Sequence, residues 1–162
     1  MSVRMRVLAL FVSAWSWPAV LAAQGGPPPA RVGPVFMPTV HYGAPLRAAG
    51  GIVVFQRLGD TRSGVIGNGL VVEASAGQSG ARASAGYLGF EDAMALDARL
   101  VLSRTWGSPL HASTDSTYAG IEAGLWIAYV RVGAGIARRL AGPSGAHRTV
   151  FTWSAGLQFP IR

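Results

Sequence analysis

Apolar and polar positions alternate along most of the chain, and the last stretch shows it most cleanly. In residues 149–159 the odd positions Phe151, Trp153, Ala155, Leu157 and Phe159 are apolar. The even positions Thr152, Ser154, Gly156 and Gln158 are polar or small, with Val150 the one exception. A period of two over eleven residues specifies a strand with one greasy face and one small, polar face. The design recurs upstream. In residues 64–76, Ile66, Leu70, Val72, Ala74 and Ala76 oppose Gly67, Gly69, Val71, Glu73 and Ser75. In residues 81–90, Ala83, Ala85 and Tyr87 oppose Arg82, Ser84 and Gly86. In residues 95–106, Leu96, Ala98, Leu100 and Leu102 oppose Asp97, Arg99, Ser103 and Thr105, with Val101 on the polar side.

Residues 118–139 form a run of 22, twice the ~9–11 residues of a membrane strand. Its parity also changes. Ala119, Ile121, Ala123 and Leu125 are odd, whereas Val130, Val132, Ala134 and Ile136 are even. A one-residue shift moves every side chain to the opposite face, so the run predicts a hairpin turning near residues 126–128. Residues 50–57 are strand-like by β-branched content, with two faces that cannot be told apart. Seven strands follow from residue 50 onward, separated by turns at 59–63, 77–80 and 91–92 and by loops at 107–117 and 141–147.

The chain before residue 50 reads differently. Seven of the ten prolines lie at or before Pro45, and proline lacks the donor that a ladder needs, so residues 24–45 are mostly an extended lead-in. Residues 35–42 are apolar enough for a broken edge strand despite Pro38. Residues 1–23 have the layout of a secretory signal peptide: Arg4 and Arg6, an apolar run from Val7 to Trp15, and small residues before Gln24. Cleavage after Ala22 and after Ala23 both fit. Ser13, Ser16 and Pro18 interrupt the run, which is shorter than the ~20 residues of a spanning helix. The organisation is therefore a signal peptide at 1–23, a Pro/Gly-rich lead-in at 24–48 that can include the first strand, and a β-barrel at 49–162. A chain of 162 residues holds one domain.

Alternating strands fit two opposite objects: a soluble barrel with its greasy face inward, or a membrane barrel with that face toward lipid. Composition favours the second. Only 13% of residues are charged, about half the ~25% of a soluble chain. The polar faces are mostly Gly, Ser and Thr, which suit the crowded interior of a narrow barrel. Their ions have both signs, Glu73, Asp97 and Glu122 against Arg82, Arg99 and Arg131. Such a set predicts a packed ionic network with a structural role, since unpaired charges in a low-dielectric interior are costly. The greasy faces carry no charge in mid-strand, and Arg104 lies at a strand end beside Trp106, where it can snorkel.

All fourteen basic residues are arginine, for a net charge of +7, or +5 with Arg4 and Arg6 removed. They are scattered, with only Arg138 and Arg139 adjacent, so no stripe suited to nucleic acid forms. The absence of cysteine excludes disulfides, thiolate catalysis and cysteine-bound metal.

The leader, the two-residue-period strands and the closing Phe151-Thr152-Trp153-Ser154-Ala155-Gly156-Leu157-Gln158-Phe159 resemble the small bacterial outer-membrane barrels of the OmpA/OmpX type. The resemblance covers residues 50–162 as an architecture, with one departure: Pro160, Ile161 and Arg162 follow the terminal aromatic. It implies an all-β, antiparallel, up-and-down transmembrane barrel of about eight strands. The eighth strand then lies before residue 50, within 35–47. Both chain ends would face the periplasm, and loops 107–117 and 141–147 the exterior. The implied partners are outer-membrane lipid and lipopolysaccharide.

The catalytic-looking residues are His111, Ser113 and Glu122, which resemble the His-x-Ser and later glutamate of outer-membrane lipid A deacylases. A serine and a histidine in a polar loop are the ordinary alternative. The three histidines lie in separate segments without metal-ligand spacing, and Gly67-Asn68-Gly69 and Gly133-Ala134-Gly135 lack the rest of a phosphate loop. No cofactor, metal or catalytic site is expected. Trp106, Trp126, Trp153, Tyr118 and Tyr129 are candidates for aromatic girdles. Three readings remain open: a non-catalytic outer-membrane barrel, a secreted soluble barrel for a lipophilic ligand, and a membrane-embedded lipid hydrolase.

Overall fold

The structure, a computed structural model, describes residues 33–58, 66–91 and 93–160. The expected signal peptide at 1–23, residues 24–32 of the lead-in and the turn at 59–63 lie outside the described residues. Eight strands follow in order: β1 (Val35–Ala44), β2 (Arg47–Leu58), β3 (Ile66–Gly77), β4 (Gly80–Glu91), β5 (Met94–Thr105), β6 (Thr117–Ile127), β7 (Val130–Ala141) and β8 (Thr149–Gln158). Each pairs antiparallel with the next, and β1 pairs with β8, which closes an up-and-down barrel without free edges.

The strand expected within 35–47 is β1. Pro38 is tolerated there because its carbonyl accepts from Phe159 N at 3.1 Å, so its ring nitrogen faces β8 just past the last ladder residue, Gln158. The β6–β7 turn lies at residues 128–129, with Ala128 at φ 53°, slightly later than the parity change suggests. Trp126 therefore belongs to β6 and keeps the inward parity of Glu122 and Gly124.

A register row from Thr149 through Arg138, Ala119, Leu102, Ala83, Ala74, Ile52 and Pro38 returns to β8 at Phe159, ten residues further along. With a rise of ~3.3 Å and a spacing of ~4.8 Å between strands, that stagger tilts the strands about 40° from the barrel axis. Along that tilt, an outward apolar run such as Met94 to Leu102 is about 20 Å tall.

The two faces are sharply divided. Leu96, Leu100, Ile121, Ile136 and Phe151 are exposed on the outside, Leu100 at 69%. Ala49, Val53, Val71, Leu88 and Val101 point inward and are buried. Ile52 and Val53, inseparable by pattern, fall on opposite faces. No helix among the described residues is long and apolar enough to cross a membrane, which says nothing about strands.

The interior is filled at three levels. At the end where β1 begins and β8 ends, Val53, Val71, Leu88 and Trp126 pack with Met37, Phe55, Phe90 and Ala95. Phe55 and Phe90 meet edge to face at 5.9 Å between centroids. At the opposite, loop-bearing end, residues 106–116 fold back onto the mouth: Leu110 N donates to Pro45 O, Trp106 N to Ser79 O, and Arg47 Nε to Ser108 O. Buried Thr105 ties Ser113 O and Ser116 O, while Tyr118 accepts from Ser113 N. Tyr118 and Trp126, candidates for girdle positions, are instead interior side chains because they share parity with the polar face. Between these two ends lies a layer of charge.

Candidate functional site

The charged layer is built from five adjacent strands. Glu73 comes from β3, Arg82 from β4, Asp97 and Arg99 from β5, Glu122 from β6 and Arg131 from β7. Each is at most 5% exposed. Inward parity gives them a common direction, and the register sets them at nearly the same depth.

They form one continuous chain of alternating sign. Arg82 grips Glu122 with two parallel bonds of 3.0 Å. Arg131 bonds Glu122 Oε1 at 2.8 Å and turns its other edge to Asp97, with Nε and Nη2 each donating at 2.8 Å. Arg99 joins Asp97 at 3.0 Å to Glu73 at 2.6 Å. His41 Nδ1 on β1 lies 3.8 Å from Glu73. Three guanidiniums thus oppose three carboxylates, so the layer is neutral when His41 is neutral. The forked geometry is that of strong charge-assisted pairs, which a buried ion requires.

Neutral groups complete it. The Trp126 indole N–H donates to Asp97, and the Arg99 guanidinium sits 5.5 Å from the Trp126 ring centroid. Ser154 Oγ accepts from Arg131 at 3.2 Å, and Ser75 Oγ donates to Glu73 at 3.3 Å. Gly124 and Gly133 face each other across β6 and β7. A Cβ at Gly124 would lie 2.5 Å from the Arg131 guanidinium, and one at Gly133 2.6 Å from Glu122 Oε1. These two glycines make the space into which Arg131 folds. Arg82 Nε, Arg99 Nε and Ser84 Oγ have no protein partner, so the layer is well but incompletely satisfied.

The six ions singled out in the sequence are therefore brought into one cluster. His41, Trp126, Ser154 and the glycine pair were not singled out as its members. For Trp126 and Ser154 the signal was present in their inward parity; for His41 it was hidden by Pro38, which blurred the first strand.

The other candidates do not assemble. His111 is exposed in the loop of residues 106–116, and Ser113 Oγ accepts from the backbone N–H of His147 at 2.9 Å. Glu122 has both oxygens committed to Arg82 and Arg131 inside the barrel. Among the described residues no three His, Asp or Glu side chains gather to hold a metal ion. The arrangement fixes charges in place, and its acids and bases are matched to one another. No family model, curated protein or solved structure matches this chain.

Proposed function

We propose that this chain is an outer-membrane β-barrel protein with a packed polar interior and a structural or surface-interaction role without catalysis. One observation carries the reading: adjacent residues on β5 invert the polarity of a soluble protein. Arg99 is 2% exposed while Leu100 is 69% exposed, and the same inversion runs around the wall. An exposed apolar surface of this extent calls for a nonaqueous partner, and a closed barrel is one of two architectures that leave no backbone group unpaired in hydrocarbon.

Other features agree. The tilt of about 40° and the outward band about 20 Å tall approach the ~35–45° and ~25 Å of membrane barrels. Outward polar groups gather at the two borders of the band, Arg104, Thr117, Arg138 and Thr149 at one and Gln56, Asn68 and Glu91 at the other. The leader-like residues 1–23 would serve as the export route, and the resemblance to OmpA/OmpX-type barrels implies a loop-bearing end outside the cell. A soluble carrier for a lipophilic ligand needs the opposite sidedness, with Leu100 and Ile121 around an apolar cavity. A lipid hydrolase on His111, Ser113 and Glu122 needs the glutamate that the two arginines hold.

Cell fractionation combined with gel migration of unheated and heated samples tests the proposal. The expected protein sediments with the outer membrane, needs detergent for extraction and migrates differently before and after boiling. Recovery of folded monomer in buffer without detergent would refute it.

A further inference from the structure

The loop-bearing end is strongly basic. Among the described residues its strand ends and loops carry Arg47, Arg104, Arg138, Arg139 and Arg148 against the single acid Asp115. Arg47 and Arg139 are occupied in holding loops, through Ser108 O and through Pro143 O and Ala146 O. Arg104 and Arg138 are different. Both are exposed on the outward face of the wall, and neither forms an ion pair among the described residues. Arg104 donates to Thr117 Oγ1 at 3.2 Å, which leaves the rest of its fork open.

The register makes them a pair. Arg138 lies in the same row as Leu102, two strands away, and Arg104 is two residues above Leu102. The stagger raises the row by about 3 Å per strand and two residues add about 5 Å. Arg104 and Arg138 therefore stand nearly level, with Thr117 between them and Cα atoms on the order of 12 Å apart. Two arginine side chains span that gap readily around a phosphoryl group, for which the guanidinium fork is suited.

Below Arg104 the outward side chains are small. Outward Ala74, Ala76, Ala81 and Ala83 floor a trough of about 600 Å³ bounded by Ile52 and Leu102 and opening beside Arg104 and Thr117. A second, larger depression in mid-band is also floored by alanines, Ala85, Ala98, Ala123 and Ala134, but no arginine of the outward face borders it. The trough therefore runs from a cationic head down an apolar side.

We propose that Arg104 and Arg138 hold the phosphoryl group of an anionic membrane lipid, one of whose acyl chains lies in the trough over β3 and β4. This rests on the outer-membrane reading. Charge complementarity selects lipid over a second copy of the chain. A copy in the same orientation brings to this end five arginines against one exposed loop acid, Asp115, since Glu91, the outward acid of the described strands, lies at the opposite border.

The test uses the full chain folded in phosphatidylcholine nanodiscs doped with diphosphoryl lipid A, with retained lipid counted by native mass spectrometry after detergent extraction. Wild type is expected to retain lipid A in preference to phosphatidylcholine. The R104Q/R138Q variant should bind about 30-fold more weakly, about fivefold per guanidinium, while R104K/R138K, which keeps the charge and loses the fork, should fall between it and wild type. Ala83→Phe, which fills the trough without touching a charge, should also lower retention. Equal retention by R104Q/R138Q, equal retention of phosphatidylcholine, or displacement of lipid A by millimolar inorganic phosphate would each overturn the proposal. No effect of Ala83→Phe would overturn the acyl-chain half. A chain that stays folded without detergent fails the membrane reading instead, so the two failures are distinguishable.

Discussion

Replacing Arg131 with methionine tests whether the interior charges act as one unit. The substitution keeps most of the volume and removes four contacts: two to Asp97 at 2.8 Å, one to Glu122 at 2.8 Å and one to Ser154 at 3.2 Å. Arg82 still holds Glu122, and Arg99 still holds Asp97 and Glu73. What is lost is balance, since three carboxylates then face two guanidiniums. Counting each charged hydrogen bond at ~1.5–3 kcal/mol gives a sum as large as the whole stability of a domain, about 5–15 kcal/mol. Such sums ignore relaxation and protonation. The measured cost of orphaning a buried charge, about 3–5 kcal/mol, is the better figure.

In a urea titration of the chain folded in detergent micelles, followed by tryptophan fluorescence and gel migration, an m-value of about 2 kcal/mol/M turns that loss into a midpoint lower by about 2 M. Adding Glu122→Gln restores the balance of sign, Arg82 and Arg99 against Asp97 and Glu73. The double variant should then cost about 1–3 kcal/mol less than the sum of the two singles. An unfolding free energy for Arg131→Met within about 0.5 kcal/mol of wild type, or strict additivity in the cycle, would refute the view that the ions form a coupled network.

Leu100 lies near the middle of the apolar band, so Leu100→Arg should cost about 2–4 kcal/mol in lipid vesicles; a neutral result would point to a wall that faces water. Gly133→Ala places a methyl 2.6 Å from Glu122 Oε1 and should cost about 1–3 kcal/mol as an overpacked site, read from the same urea midpoint, whereas Gly145→Ala, with open space around it, should be silent. Ser113→Ala should leave the acylation pattern of envelope lipids unchanged, as judged by mass spectrometry; a changed pattern would revive the hydrolase reading.

Much of this structure is legible in the residues because a barrel wall has only two faces and each follows a simple rule. Asp97, Arg99, Leu100 and Leu102 declare their sides by parity alone, as do Glu73 and Glu122. Where parity fails, so does the reading. Residues 50–57 have apolar groups on both faces because β2 supplies Val53 and Phe55 to the hydrophobic end of the interior as well as Ile52 to the wall. The β1 strand is obscured by Pro38, whose missing donor falls where no ladder bond is required. Trp126 and Tyr118 look like girdle residues from composition, since aromatic side chains suit both an interface and a packed interior. Only their parity, and the Asp97 and Ser113 partners that the fold supplies, separates the two.

The ions also explain why the interior is not simply apolar. A hydrophobic plug of equal volume can match or exceed a buried ion pair in stability, so the charges are better understood through the errors they penalise. A one-residue slip of β5 would turn Asp97 and Arg99 outward into the band and bring Leu96, Ala98 and Leu100 inside. In the proposed membrane setting a misplaced arginine would cost about 2–4 kcal/mol, and within the barrel Glu73 would lose Arg99 and Arg131 would lose Asp97. With apolar residues on both faces the same slip would cost less. Because the chain of alternating charge passes through β3, β4, β5, β6 and β7, a slip at any one of these strands breaks pairs contributed by others. The network therefore fixes the register of five strands together, and the barrel closes on β1 and β8 around an interior whose sign pattern admits one arrangement.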